Sequence, residues 1–240
     1  MGPAAGADFA RLFVSACTEH MRASGQVVCD QSFPEHWLAQ VPVPDRSAAL
    51  DSPVLGAHQP LELMLQALSK LAALGASAVA IACNTAHAWH SALQERFPQL
   101  ELLHVAREVA ANLSSRGVRE VGLLATAGTY RTGLYDEALL AAGVECHLPP
   151  PHERDILMRG IYEGVKTGNV MLARASFTQV AESLACRHGL STLVLGCTEI
   201  PLALDCVPGM DTLFLVDPSM LLAKALAHRA FDVRGAVSRY

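Results

Sequence analysis

Two cysteines stand at matching places in the two halves of this 240-residue chain. Cys83 follows the apolar run 79–82 and Cys197 follows the apolar run 193–196, and polar residues come directly after each of them. A thiol at a strand end, next to a helix N-terminus, has its thiolate stabilised by the helix dipole. Two such thiols on opposite sides of one carbon can remove a proton from one face and return one to the other. The pattern predicts a two-thiol proton-transfer site.

The residues beside the two cysteines suit a carboxylate substrate. Asn84, Thr85 and Thr198, with the backbone N–H groups that follow each cysteine, can hold a carboxylate. The difficult species is a carbanion whose charge spreads into that carboxylate, and each fixed donor is worth roughly 3 kcal/mol there. The alternative is that each cysteine is only a small core residue at a buried strand end. The repeated pattern favours the catalytic interpretation.

The composition indicates a globular protein with no polyanionic partner. Apolar residues make up 51% of the chain and charged residues 17%, which is enough for a large core. The net charge of −5 and the lack of a basic run argue against nucleic acid and anionic membranes. The sequence shows no secretory signal and no apolar membrane span, so we expect a cytoplasmic protein. The seven cysteines are then expected to be reduced thiols, and without a CxxC pair we predict no metal site.

Short apolar runs alternate with amphipathic stretches, which predicts an α/β fold with parallel sheets flanked by helices. The faint repeat around the two cysteines predicts two similar lobes, with ligands at the carboxyl ends of the strands. We predict strands at 78–82, 120–125, 192–196 and 213–216, with weaker candidates at 27–29 and 102–105. We predict helices near 5–23, 61–72, 86–96, 106–116, 131–142, 153–167, 170–188 and 218–231.

Several motifs together resemble the aspartate/glutamate racemase family, and they run nearly from end to end of the chain. The two cysteine motifs, 82–87 and 195–201, are the most specific of them. The others are Met1-Gly2-Pro3, Pro44-Asp45-Arg46-Ser47, the stretch 123–129 and the stretch 161–168. The resemblance implies two lobes related by a pseudo-twofold with the active site between them. It also implies a cofactor-independent enzyme, a homodimer, and Cys83 and Cys197 as acid and base.

The same resemblance assigns further site residues. Asn84, Thr85 and Thr198 would hold the α-carboxylate of the substrate, and Glu199 would bind its ammonium group or orient the site. Arg46 and Lys166 would grip a distal carboxylate, because a dicarboxylic substrate needs a second cationic site. Met1 and Thr126 would line the site. For Arg46 the alternative is a solvated loop residue, for Lys166 a helix cap, and for Thr126 a simple strand-end hydroxyl.

The expected domain boundaries follow from the same resemblance. Residues 1–104 with 215–240 would form the lobe that carries Cys83, and residues 105–214 the lobe that carries Cys197. Family members usually have a short apolar strand before the turn that Met1 opens here, so the first lobe is expected to lack its first strand in this sequence. Such a loss would remove several buried side chains, each worth about 1.5–3 kcal/mol.

The sequence thus predicts a racemase that interconverts L- and D-aspartate, with glutamate as the second candidate substrate. The alternatives on the same scaffold are a glutamate racemase, a hydantoin racemase and a maleate isomerase. Cys197-Thr198-Glu199 looks more like the aspartate branch, since glutamate racemases usually carry histidine after the threonine. Arylmalonate decarboxylases typically keep one of the two cysteines, which counts against them. A non-catalytic carboxylate-binding relative is the alternative from another class.

Overall fold

The computed structural model describes residues 2–51, 58–204 and 213–237. Its helices and strands alternate along most of the chain. The helices are α1 Pro3–Ala23, α2 Arg46–Asp51, α3 His58–Ala73, α4 His90–Arg96, α5 Val105–Ser115, α6 Ala127–Arg131, α7 Asp136–Ala141, α8 Pro151–Arg159, α9 Val170–His188, α10 Pro201–Leu204 and α11 Pro218–Val237. The strands are β1 Ala78–Val79, β2 Glu101–Leu102, β3 Glu120–Ala125, β4 Glu145–His147, β5 Thr192–Gly196 and β6 Phe214–Val216.

The strands form two parallel sheets, one in each lobe, and helices flank both sheets. In the first lobe β1 pairs with β2, and in the second lobe the strand order is β4-β3-β5-β6. The expected α/β class with two lobes is therefore confirmed. The expected lobe boundary divides β6, which pairs with β5 in the second sheet. A boundary after β6 keeps that strand whole.

The register of the second sheet brings two site residues to one edge. Ala125 of β3 pairs with Gly196 of β5, and both are the last residues of their strands. Thr126 and Cys197 therefore leave the sheet side by side. Gly196 permits this close pairing, because a methyl group there would lie 2.7 Å from Cδ1 of Leu123.

Each lobe has its own apolar core around the strand that leads to its cysteine. In the first lobe, Val79 and Ile81 pack with Trp89 and Leu93 beneath Cys83. In the second lobe, Cys197 belongs to a core built from β5, α8 and α9. No helix among the described parts of the chain is both long and apolar enough to cross a membrane.

The first lobe differs from expectation at residues 27–29. Residues 27–29 form no strand, since Val27 is 76% exposed and the chain there is irregular. An apolar groove of about 480 Å³ lies beside β1, between residues 76–82 and the segment 34–40. Helices α1, α3 and α11 contribute its walls. The expectation that this lobe lacks its first strand stays a prediction.

Candidate active site

The two cysteines that directly follow predicted strands line one small cavity between the lobes. Cys83 and Cys197 are both buried, and the cavity measures about 20 Å³. The sequence-predicted site residues that line it with them are Arg46, Asn84, Thr85, Thr126, Lys166, Thr198 and Glu199. Met1 lies outside the described residues, although its neighbour Gly2 approaches Oε1 of Glu199. Asp45, Ser47, Ile161 and Tyr162 also line the cavity and were missed as site residues, although they lie in or directly beside recognised motifs.

Cys197 lies in an acidic setting. Its Sγ donates a hydrogen bond of 3.0 Å to Oε2 of Glu199, and the Thr198 hydroxyl donates to the same oxygen at 2.9 Å. Burial raises the pKa of the Cys197 thiol well above its usual range, and the negative charge of Glu199 raises it further. Cys197 is therefore a protonated thiol at neutral pH, ready to give a proton.

Cys83 has a cation beside it instead. Burial alone would lower the pKa of Arg46, but its interactions with Cys83, Asp45 and Glu199 raise that pKa above the ordinary value. Nη1 of Arg46 donates to the carbonyl oxygens of Val43 and Pro44, at 3.2 and 3.1 Å. Its Nε is buried, and no hydrogen-bond partner for it occurs among the described residues. Arg46 therefore places a cation beside Cys83 and keeps one buried N–H donor for an anionic ligand.

Three threonine hydroxyls join the Cys83 loop to the second lobe. Oγ1 of Thr85 lies 2.8 Å from Oγ1 of Thr126 and 3.1 Å from Oγ1 of Thr129. Thr126 caps α6 by accepting a hydrogen bond from the backbone N–H of Thr129. Because each hydroxyl has only one proton, these contacts occupy much of the donor capacity of Thr85 and Thr126. They hold the two sides of the cavity together.

His87 supports the backbone of the Cys83 loop. Its Nδ1 lies 2.9 Å from the carbonyl oxygen of Cys83, and its Nε2 accepts a hydrogen bond from the N–H of Val105. Burial lowers the pKa of His87 to about 4, and the neighbouring His104 lowers it too. The ring is therefore neutral, with its proton on Nδ1. Among the described residues, no group of three or more His, Cys, Asp or Glu side chains could hold a metal ion.

Asp45 links the lobes at the mouth of the cavity. The hydroxyl of Tyr162 donates to Oδ2 of Asp45, and Nζ of Lys166 lies 3.6 Å from the same oxygen. Burial alone would raise the pKa of Asp45. The hydrogen bonds from Tyr162 and the Ala48 N–H, with the charges of Lys166 and Arg46, hold it below the ordinary value. Since the cavity of about 20 Å³ is far smaller than the roughly 300 Å³ or more of a typical ligand pocket, a ligand enters only if the cavity walls move apart.

Replacing Asp45 with asparagine is expected to destabilise the protein in a pH-dependent way. The lowered pKa of Asp45 means that its ionised form stabilises the fold above the acidic range, and that this contribution is lost as pH falls through the folded-state pKa. At neutral pH we expect a loss of up to about 1 kcal/mol in the free energy of unfolding, because the pair is partly exposed. Urea unfolding at neutral and acidic pH measures it.

Glu163→Gln is the matched control, because the side chain of Glu163 forms an exposed ion pair with Arg159. Its effect is expected to be near zero at both pH values. A destabilisation by Asp45→Asn that persisted unchanged at acidic pH would contradict the assignment.

The comparisons with known proteins identify the family of the chain. The model of the Asp/Glu/Hydantoin racemase family matches residues 1–226, so the chain belongs to this family, as the cysteine motifs predicted. The aspartate racemase of Picrophilus torridus has a similar structure, with a TM-score of 0.76 and 25% identity over 96% of this chain and 90% of that one. An aspartate racemase homologue from Pyrococcus horikoshii OT3 has a TM-score of 0.70 and 24% identity over 93% of this chain and 94% of that one.

Curated relatives by sequence include glutamate racemases. That of Ectopseudomonas mendocina is 32% identical over 164 residues, which cover 65% of this chain and 59% of that protein. That of Pseudomonas aeruginosa strain UCBPP-PA14 is 34% identical over 134 residues, which cover 53% and 47%. The chain thus spans about half the length of the glutamate racemases it matches.

Proposed function

We propose that this protein is an amino-acid racemase that interconverts L- and D-aspartate with two cysteine thiols and no cofactor. The observation that carries the proposal is the pair Cys83 and Cys197, which line one cavity in opposite electrostatic settings. Arg46 places a cation beside Cys83, and Glu199 accepts a hydrogen bond from the Cys197 thiol. One base and one acid are the two groups that inversion at a single carbon requires.

In the proposed reaction, the Cys83 thiolate removes the α proton. The electron pair of the broken C–H bond moves into the α-carboxylate, which becomes an enediolate. The Cys197 thiol then gives its proton to the opposite face of the α carbon and becomes a thiolate. The reverse direction starts from the other protonation state, so one cysteine serves each enantiomer. Asn84 and the backbone N–H groups after the cysteines would hold the carboxylate while its charge grows.

The charge around the cavity supports a dicarboxylic substrate. Glu199 provides an anion for the substrate ammonium group, and Arg46 has a buried Nε–H without a partner in the described chain. Lys166 adds a second cation at the mouth, where it pairs with Asp45. A carboxylate on the substrate side chain can replace Asp45 as the partner of Lys166 once the lobes open.

The test is to incubate the protein with L-aspartate in heavy water and follow both the α proton and the enantiomer. We expect the α-proton NMR signal to disappear and D-aspartate to form, whereas a Cys83→Ala/Cys197→Ala double variant does neither. No exchange and no D-aspartate with the wild-type protein would reject the proposal. Measurable binding of aspartate without exchange would instead identify a non-catalytic carboxylate-binding protein.

Glutamate is the second candidate substrate, because the curated relatives by sequence include glutamate racemases. The same assay with L- and D-glutamate separates the two, and kcat/KM is expected to be higher for aspartate. A higher kcat/KM for glutamate would make the protein a glutamate racemase with the same two-thiol chemistry.

The proposal includes a cytoplasmic location and a homodimer. The six cysteines in the described part of the chain are all free thiols, a state that suits a reducing compartment. Light scattering on the purified protein determines the oligomeric state, and a monomeric mass would reject the dimer.

A further inference from the structure

Asn84 is contacted by a tyrosine from the opposite lobe. Tyr135 immediately precedes α7 and is completely buried, with its ring in the apolar core of the second lobe beside Val109 and Leu139. Its hydroxyl donates a hydrogen bond to Oδ1 of Asn84. The polar end of Tyr135 therefore reaches the part of the cavity wall that the first lobe provides.

This hydrogen bond determines which end of the Asn84 carboxamide faces the cavity. A carboxamide has one oxygen acceptor and an NH₂ group with two donors. Burial raises the pKa of Tyr135 well above its ordinary value, so the hydroxyl keeps its proton and can donate. With Oδ1 bound to Tyr135, the NH₂ group remains for the cavity. That is the polarity that a bound carboxylate requires.

We infer that Tyr135 is a positioning residue that acts through Asn84. Because a phenol hydroxyl is a much better donor than acceptor, Tyr135 favours this orientation over the flipped one, which would aim the oxygen of Asn84 at the carboxylate of the substrate. The identity of that substrate rests on the proposed function. The hydrogen bond and its effect on the carboxamide do not depend on it.

Tyr130 provides a matched control in the same lobe. Its hydroxyl donates to the carbonyl oxygen of Leu123 at 2.9 Å and accepts from the N–H of Ala125 at 2.8 Å. Both partners are backbone groups of β3. Tyr130→Phe therefore removes a hydrogen-bonded hydroxyl from the second lobe without changing any contact of Asn84.

The kinetic test compares Tyr135→Phe, Tyr130→Phe, Asn84→Ala and the double variant Tyr135→Phe/Asn84→Ala. We expect Tyr135→Phe to lower kcat/KM for aspartate about tenfold, the loss that one misdirected hydrogen bond produces. In the Asn84→Ala background it should lower kcat/KM no further, because the two residues act as one unit. Tyr130→Phe should lower the melting temperature without lowering kcat/KM. Additive losses from Tyr135→Phe and Asn84→Ala would overturn the inference.

A second measurement does not need turnover. In ¹⁵N-labelled protein, the side-chain amide signals of Asn84 are identified as the pair that Asn84→Ala removes. Tyr135→Phe should shift this pair, and Tyr130→Phe should leave it in place. If the wild-type protein fails to racemise aspartate, the proposed function fails, yet these shifts still decide the role of Tyr135. Unchanged Asn84 signals in Tyr135→Phe would overturn the inference.

Discussion

Replacing either Cys83 or Cys197 with serine is expected to abolish the racemisation of aspartate. A serine hydroxyl occupies nearly the same space, but it is a much weaker acid than a thiol and its conjugate base does not form at neutral pH. A positioned acid or base contributes about 10²–10⁴-fold to the rate, so each variant should lose at least about a hundredfold in kcat. Chiral chromatography of the aspartate formed with time measures this loss.

The two variants should differ in which enantiomer still exchanges its α proton in heavy water. Each variant retains one thiol, which can remove a proton from its own face of the α carbon and return a deuteron there. One variant should therefore exchange only L-aspartate and the other only D-aspartate, without inversion. Cys146→Ser is the control, because Cys146 lies on β4, outside the cavity. Exchange of the same enantiomer by both variants would contradict a two-base mechanism.

The location of both cysteines could be predicted because it depends on short-range patterns. An apolar run that is followed by a cysteine and then by polar residues is typical of a buried strand that ends near the cysteine. The strand before Cys197 was predicted at 192–196 and is found as Thr192–Gly196. The run before Cys83 was predicted at 78–82, and only Ala78–Val79 pairs as a strand. The two cysteine motifs were still specific enough to identify the family.

Some secondary structure was missed because tertiary contacts override local patterns. The apolar residues at 27–29 have strand propensity, but they find no neighbouring strand and remain exposed. The helix predicted at 153–167 is α-helical only as far as Arg159, and the chain then forms a π-helical turn over Gly160–Gly164. Strand β4, with its half-buried residues, gave no apolar run to recognise.

The contacts between the lobes could not be predicted from the sequence. Asp45 and Tyr162 are 117 residues apart, and their hydrogen bond depends on how the two sheets are placed relative to each other. Arg46 was expected at the distal carboxylate from the family resemblance. Its pKa reflects the neighbourhood of Cys83, a relationship that only the folded chain reveals.

Gly128 is the residue at which a single methyl group should separate the lobes. It lies in α6 of the second lobe, and a methyl there would come within 2.6 Å of Cγ2 of Thr85 and 2.8 Å of Oγ of Ser47. The backbone of Ser47 is also close, with its Cα at 3.1 Å from the added carbon. Thr85 cannot move away without displacing the cavity wall, because its hydroxyl is hydrogen-bonded to Thr126 and Thr129. Ser47 is equally restricted, because it directly follows Arg46 of the cavity wall.

Gly128→Ala is therefore expected to impair catalysis strongly. Overpacking of this kind costs about 1–3 kcal/mol, which corresponds to roughly a tenfold to hundredfold loss if it acts on the transition state. Steady-state kcat/KM for aspartate measures the loss, and the melting temperature separates it from unfolding. Thr85→Ser tests the cause, because it removes the methyl group that clashes and keeps the hydroxyl that bonds Thr126. The double variant Gly128→Ala/Thr85→Ser should recover activity relative to Gly128→Ala. If it recovers none, steric separation of Thr85 from α6 is not the reason for the loss.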